Sequence, residues 1–222
     1  MQILYFLLAG LIGYLCGSVP FGYIYVKLFK GEDLTKIGSG RTGGTNSLRA
    51  GGVGIGVLTS LSDVFKGLMS VLITTWLFGG ALEPALLPWA QALAGVMSVF
   101  GHNWSIFLKF GGGAGTGPNV GWSTAIWPWV FPIAFVVMVG LLLGTGMASV
   151  ASLSMAAVTI VIFAVRYFTG ADTTLAYLAG SLVAGAAITW ALRPNIRRLL
   201  DGTERRVGPA AKRAERRAAS KQ

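Results

Sequence analysis

Chain segments long enough to cross a bilayer, and almost free of charge, constrain this sequence more than any motif does. From Ile3 to Val26 there is no Asp, Glu, Lys or Arg, and further apolar blocks follow near 53–80, 85–101, 119–144, 147–168 and 172–192. About 20 mostly apolar residues span the hydrocarbon core as a helix, and a helix satisfies every backbone polar group within its own segment. Only 12% of the 222 residues are charged, against about 25% in a soluble domain, too few to cover a surface in water. The sequence therefore predicts an all-α integral membrane protein, a polytopic bundle, and excludes disordered and collagen-like chains. Cys16 is the one cysteine, which rules out a disulfide framework; it reads as a packing residue of the first segment.

Charge placement sets the expected topology. Residues 193–222 hold ten Lys/Arg against Asp201, Glu204 and Glu215, a net +7 of the formal +10. A basic stretch after the last apolar block marks the cytoplasmic, anionic-lipid side and accounts for these arginines without nucleic acid. No basic residue precedes the first segment, whereas Lys27, Lys30 and Lys36 follow it, so the N-terminus is expected outside and the 27–52 loop inside. The first segment also lacks the charged start of a cleavable signal peptide. Six crossings would leave the Arg-rich end outside, so the number must be odd. Pro128 and Pro132 can divide the 119–144 block, which gives about seven membrane-embedded helices with glycine-rich loops on the cytoplasmic side. Pro20 is expected to kink the first helix, and Gly13 and Gly17 to admit a close neighbour. The expected organisation is a membrane-embedded domain over 1–204 and a basic cytoplasmic tail over 205–222.

The polar residues gather in three inner elements. The first runs from Gly38-Ser39-Gly40-Arg41 through Thr45-Asn46 to Arg49. It contains GxGxxG by letter, but no strand–helix context surrounds it, and there is no GK[ST], so neither a dinucleotide fold nor a P-loop is indicated. What remains is glycines that let main-chain N–H groups converge on an anion, hydroxyl donors, and an arginine fork. The second holds His102, the single histidine, then Gly111-Gly112-Gly113-Ala114-Gly115 ahead of a helix start, whose dipole favours phosphate. Position 107 is Phe, so no HxxxxD acyltransferase motif follows His102, and no cluster of metal ligands accompanies it. The third runs from Arg193 through Asn195 to Glu204. Asp63 and Lys66, at i and i+3 inside the second apolar block, are intramembrane charges. They read either as functional groups facing the bundle interior or as a mutually neutralising pair.

In this order, the three elements resemble the bacterial acyl-phosphate:glycerol-3-phosphate acyltransferases, the PlsY family. The resemblance rests on Gly17-Ser18-Val19-Pro20-Phe21-Gly22, Gly38-Ser39-Gly40 through Arg49, Asp63-Val64-Phe65-Lys66-Gly67, Gly101-His102 with Phe107-Leu108-Lys109-Phe110 and the glycines after it, Ser149 and Ser152, and Asn195-Ile196 through Gly202-Thr203-Glu204. It implies Ser39, Arg49, Asn195 and His102 as catalytic residues. It implies that Gly38, Gly40, Arg41, Thr45, Asn46, Asp63, Lys66, Gly112, Gly113, Gly115, Ser149, Ser152 and Glu204 bind the substrates or their phosphates. Against the family pattern, Ala114 stands in place of a lysine, Leu192 of a histidine, Gly146 of an arginine, and Arg41 of the asparagine that usually follows Gly-Ser-Gly.

The implied reaction moves a fatty acyl group from acyl phosphate to the 1-hydroxyl of glycerol 3-phosphate and yields lysophosphatidic acid, without metal or cofactor. Implied partners are the two substrates, membrane lipids and the enzyme that makes the acyl phosphate; the implied location is the bacterial inner membrane. Ala114 and Leu192 leave open a non-catalytic homologue that binds lipid or acyl phosphate. The intramembrane Asp63 and Lys66 leave open a small anion transporter, which would place polar groups along both halves of the membrane.

Overall fold

A computed structural model describes residues 1–208. It is helical throughout, with one isolated β-bridge, Ser105 to Gly111. The helices are α1 (Gln2–Ser18), α2 (Phe21–Lys30), α3 (Gly44–Gly51), α4 (Val53–Phe78), α5 (Leu87–Asn103), α6 (Thr116–Ile126), α7 (Val130–Thr145), α8 (Ala148–Phe168), α9 (Ala176–Ala191) and α10 (Arg193–Leu200). By length and composition, three of these stretches can cross a membrane unaided: Gln2–Lys30, Val53–Phe78 and Ala148–Phe168. A fourth candidate, α9 with α10, is bent by 63°.

The expected breaks occur where proline cannot continue a helix. The first segment is interrupted at Val19 and Pro20, between α1 and α2. The 119–144 block divides at Trp127–Trp129, around Pro128, into α6 and α7. Pro132 lies within the first turn of α7, where an N–H has no helical partner to lose. The first polar element is only partly loop: from Gly44 it coils into α3, so Thr45 and Asn46 open a helix and Arg49 lies in its last turn. His102 likewise belongs to the end of α5 rather than to the loop after it.

Small residues draw the helices together. A Cβ at Gly13 would lie 2.1 Å from the Ala94 carbonyl oxygen, one at Gly17 2.0 Å from that of Ser98, and one at Gly101 2.1 Å from that of Tyr14. Helices α1 and α5 therefore cross backbone to backbone, as small residues allow in membranes. Buried hydroxyls bond back along their own helices, Ser70 to the Gly67 carbonyl (2.6 Å) and Ser98 to that of Gly95 (2.6 Å). Large apolar side chains such as Leu61, Phe65, Trp76, Val136 and Val161 point outward instead, the arrangement a lipid solvent favours.

The chain returns repeatedly to one end of the bundle. There the α1–α2 break meets α4, since Lys66 Nζ donates to the Val19 carbonyl (2.9 Å). The first loop meets the second, Thr42 N donating to the Gly112 carbonyl (3.3 Å), and Val207 N donates to the Gly146 carbonyl after α7 (2.8 Å).

Candidate active site

At that end a cleft opens, with about 180 Å³ of space open to water-sized molecules. Its polar wall combines Ser39, Thr45 and Arg49 of the first element, Thr116 and Gly117 of the second, and Asn195, Arg198 and Glu204 of the third. The three elements predicted from sequence are thus brought to one cavity. Four arginines, Arg41, Arg49, Arg198 and Arg205, face it against Glu204 and Asp63. Asp63 is already paired with Lys66 (2.9 Å), so the polar end is net cationic.

Each part of the wall is fixed locally. Asn46 is buried (2% exposed) and organises the first loop. Its Nδ2 donates to the Ile37 and Arg41 carbonyls (both 2.9 Å), and its Oδ1 accepts from Ser39 N (3.2 Å). Gly38, at φ 56°, leaves no room for a Cβ beside Asn46 Oδ1 (2.4 Å). Arg49 is half-buried and has no hydrogen-bond acceptor among the described residues. Its guanidinium fork therefore keeps its donors for a ligand. Burial and the neighbouring Arg205 charge lower its pKa, and Glu204 partly offsets this; at any physiological pH it stays a cation.

Glu204 ties the third element to α8. Its Oε1 accepts from Asn195 Nδ2 (2.7 Å) and Ser149 Oγ (2.8 Å), and its Oε2 from Arg198 Nε (2.9 Å). Burial pushes this carboxyl up, but the three donors and the Arg198 charge hold it, on balance, below the usual carboxylate range. Ser152 lies on the same cavity wall.

Within the wall sits a buried trio. Lys66 Nζ lies 2.9 Å from Asp63 Oδ1 and 2.8 Å from His102 Nδ1. An ammonium only donates, so His102 Nδ1 accepts and the ring proton resides on Nε2. Nε2 abuts the second loop: a Cβ at Gly113 would lie 1.9 Å from it, and one at Gly112 2.1 Å from the His102 carbonyl oxygen. Gly113 N donates to that carbonyl (2.9 Å). On α6, a Cβ at Gly117 would strike Asp63 Cβ (2.6 Å). The glycines here let the loop wrap the trio. Asp63 and His102 reach the cavity, whereas Gly38, Gly40, Lys66, Gly112, Gly113 and Gly115 stand behind the residues that line it.

Sequence reasoning missed part of the site. Arg198 is one turn from Asn195 on α10, a spacing that puts both on one face. Thr116 opens α6 with a buried hydroxyl that has no hydrogen-bond partner among the described residues. A groove between helices for the acyl chain is expected from the resemblance, but the sequence does not single out its residues: the apolar continuation of the same cleft is walled by Phe131, Phe135, Met138 and Leu142 of α7 with Val120 and Met155. Helix α7, which supplies most of this wall, is apolar along nearly its whole length, so its sequence does not show which face lines the cavity. Among the described residues no group of three His, Cys, Asp or Glu side chains gathers as a metal site requires.

A family model described as glycerol-3-phosphate acyltransferase matches residues 7–202. Proteins named glycerol-3-phosphate acyltransferase are similar along nearly their whole length. One from Halalkalibacterium halodurans is 36% identical over 88% of this chain and 92% of its own, and one from Gloeobacter violaceus is 38% identical over 89% and 93%. The fold is similar to a crystal structure of PlsY, an integral membrane glycerol 3-phosphate acyltransferase, in its glycerol 3-phosphate form: TM-score 0.78, 35% identity, 91% of this chain and 96% of that one. The lysophosphatidic acid form of PlsY gives a TM-score of 0.77 at 34% identity. A match of this extent to the family model and to full-length relatives makes this multi-pass integral membrane protein a member of the glycerol-3-phosphate acyltransferase family.

Proposed function

We propose that the protein transfers a fatty acyl group from acyl phosphate to the 1-hydroxyl of glycerol 3-phosphate, releasing lysophosphatidic acid and inorganic phosphate. One observation carries this reading: one cavity is lined both by cationic polar groups and by an apolar wall from α7. An amphiphile with a phosphate head and a long acyl tail fits both ends at once. The second anionic substrate shares the polar end.

An acyl phosphate is a mixed anhydride with a good leaving group, so no covalent enzyme intermediate is needed. The glycerol 3-phosphate hydroxyl adds to the acyl carbon, the C–O bond to phosphate breaks, and the hydroxyl proton passes to a phosphate oxygen. Arg49, with its unclaimed fork, and Ser39 hold phosphate, and Arg198 and Arg205 add positive charge at the same end. Alignment of two bound anions supplies most of the acceleration, and main-chain N–H groups at the α6 start favour charge gathering on the leaving group. His102 shapes the glycine loop rather than taking the proton, because Nδ1 is held by Lys66 and Nε2 faces Gly113. Purified protein with palmitoyl phosphate and glycerol 3-phosphate should form lysophosphatidic acid, and palmitoyl-CoA should not replace the donor. Absence of turnover despite donor binding would leave a lipid-binding homologue.

The site lies on the cytoplasmic face of a bacterial inner membrane, with the N-terminus outside. α1, α5, α7 and α9 arrive at the site end of the bundle and α4, α6 and α8 leave it, giving seven membrane-embedded segments and the odd parity the basic C-terminal stretch requires. Lys36, whose side chain is 82% exposed, tests this as Lys36→Cys in a protein whose Cys16 is replaced by Ala. External maleimide should fail to label it in intact cells; ready external labelling reverses the topology. The tail from 209 onward lies outside the described residues.

A further inference from the structure

Arg41 does not present a free guanidinium to the cavity. Its Nη1 donates to Asn195 Oδ1 (2.7 Å), across 154 positions of sequence, and its Nη2 donates to the Ala191 carbonyl. Ala191 ends α9, so Arg41 takes one of the carbonyls that a helix end leaves without an internal partner. At its other end Arg41 is bound into the first loop. Its carbonyl accepts from Asn46 Nδ2 (2.9 Å), and its N–H approaches Ser39 Oγ (3.4 Å). One residue therefore joins the loop that carries Ser39 to the α9–α10 junction that carries Asn195.

We infer that Arg41 is a positioning residue for Asn195, fixing which face of its amide looks into the cavity. A side-chain amide has a donor end and an acceptor end of similar shape, and its neighbours decide its orientation. Arg41 is a charged donor and binds the oxygen; Glu204 is a charged acceptor and binds the nitrogen (2.7 Å). Both bonds are of the strong, charge-assisted kind. Clamped so, Asn195 has one N–H left, and the cavity lies beside it. Without Arg41 the oxygen loses its donor, α10 is free to shift, and that N–H loses its aim. The inference builds on the acyl-transfer reading but makes a different demand: Arg41 must act through Asn195 rather than on phosphate directly.

A double-mutant cycle on the full chain separates the two, with kcat and KM for glycerol 3-phosphate measured at saturating palmitoyl phosphate. Arg41→Ala and Asn195→Ala should each lower kcat at least about tenfold. In the Asn195→Ala protein, adding Arg41→Ala should cost less than about threefold, because the group it aims is already gone. Arg41→Lys keeps the charge but reaches only one of two acceptors, so it should recover part of kcat. Multiplicative losses, or a loss confined to KM in both backgrounds, would make Arg41 a direct phosphate ligand and overturn the inference. A silent Arg41→Ala would do so as well. Hydrogen exchange of residues 193–204 supplies an arm independent of turnover: it should rise in Arg41→Ala and less in Arg41→Lys. Unchanged exchange contradicts the clamp even if the wild-type protein proves inactive and the acyl-transfer reading falls.

Discussion

Two polar networks meet at this cavity and are built in opposite ways. The Asp63–Lys66–His102 trio is sealed: the side chains of Asp63, Lys66 and His102 are each 4% exposed, and the trio lies between packed helices. The Arg41–Asn195–Glu204–Arg198 network stands at the rim, where Arg198 is 31% exposed while Glu204 is only 4% exposed. In the sealed network the charges neutralise one another and also take up the Val19 carbonyl, freed where Pro20 breaks the first segment. The rim network is joined to arginines in excess of its one carboxylate and stays open to a ligand. The difference separates what holds the cavity in shape from what binds inside it.

Removing one member of the sealed trio should produce the largest effect, and that effect should be on folding. Lys66→Met leaves the Asp63 charge without its counterion and the Val19 carbonyl without its side-chain donor. Breaking a buried pair from one side costs about 3–5 kcal/mol. Thermal unfolding in detergent should show the loss, with activity falling only in step with folded protein. A stable Lys66→Met protein would place the trio outside the scaffold.

At the rim the reverse is expected. Arg49→Ala should leave thermal stability near that of wild type but lower kcat/KM by roughly 10²-fold, about 2.7 kcal/mol of transition-state binding. Arg49→Lys should recover only part, because a single ammonium cannot reproduce the planar fork. Near-normal turnover of Arg49→Ala would remove Arg49 from the site.

The smallest effect is a dependence on pH. Glu204 is held below the usual carboxylate range in the folded protein, so its contribution to stability is complete above the unfolded-state pKa. It is lost as pH falls through the lowered folded value. Amide protection in 193–204, taken relative to the intrinsic exchange rate at each pH, should therefore fall on acidification and lose most of that dependence in Glu204→Gln. An acid response unchanged by the substitution would assign it to another group.

Legibility in the sequence divides along the same line. Asp63 and Lys66 could be read as a pair because i, i+3 spacing fixes their proximity before any tertiary structure exists. Gly13 and Gly17 marked α1 for a close neighbour for the same local reason, which the fold supplies as α5, and Pro128 marked the α6–α7 break. The rim could be read as three polar elements on one side of the membrane, but not as a network. Nothing near Arg41 indicates a partner 154 positions away, and nothing in the composition of Asn46 distinguishes a loop-ordering amide from a ligand-binding one. His102 completes the trio from 36 positions beyond Lys66, a contact set by the packing of α5 against α4. The gorge was hidden most completely, because α7 is apolar on every face.

The central claim is that the cationic chamber and the apolar gorge hold the two ends of one donor molecule. Met138 lies on the apolar wall formed by α7, so Met138→Cys in a protein whose Cys16 is replaced by Ala reports on the gorge. Palmitoyl phosphate should slow maleimide labelling at this position, while glycerol 3-phosphate should not. Once labelled, the protein should lose turnover with the long-chain donor but still bind glycerol 3-phosphate. Labelling indifferent to the donor, together with full activity after modification, would show that the acyl chain lies elsewhere and contradict the two-ended cavity.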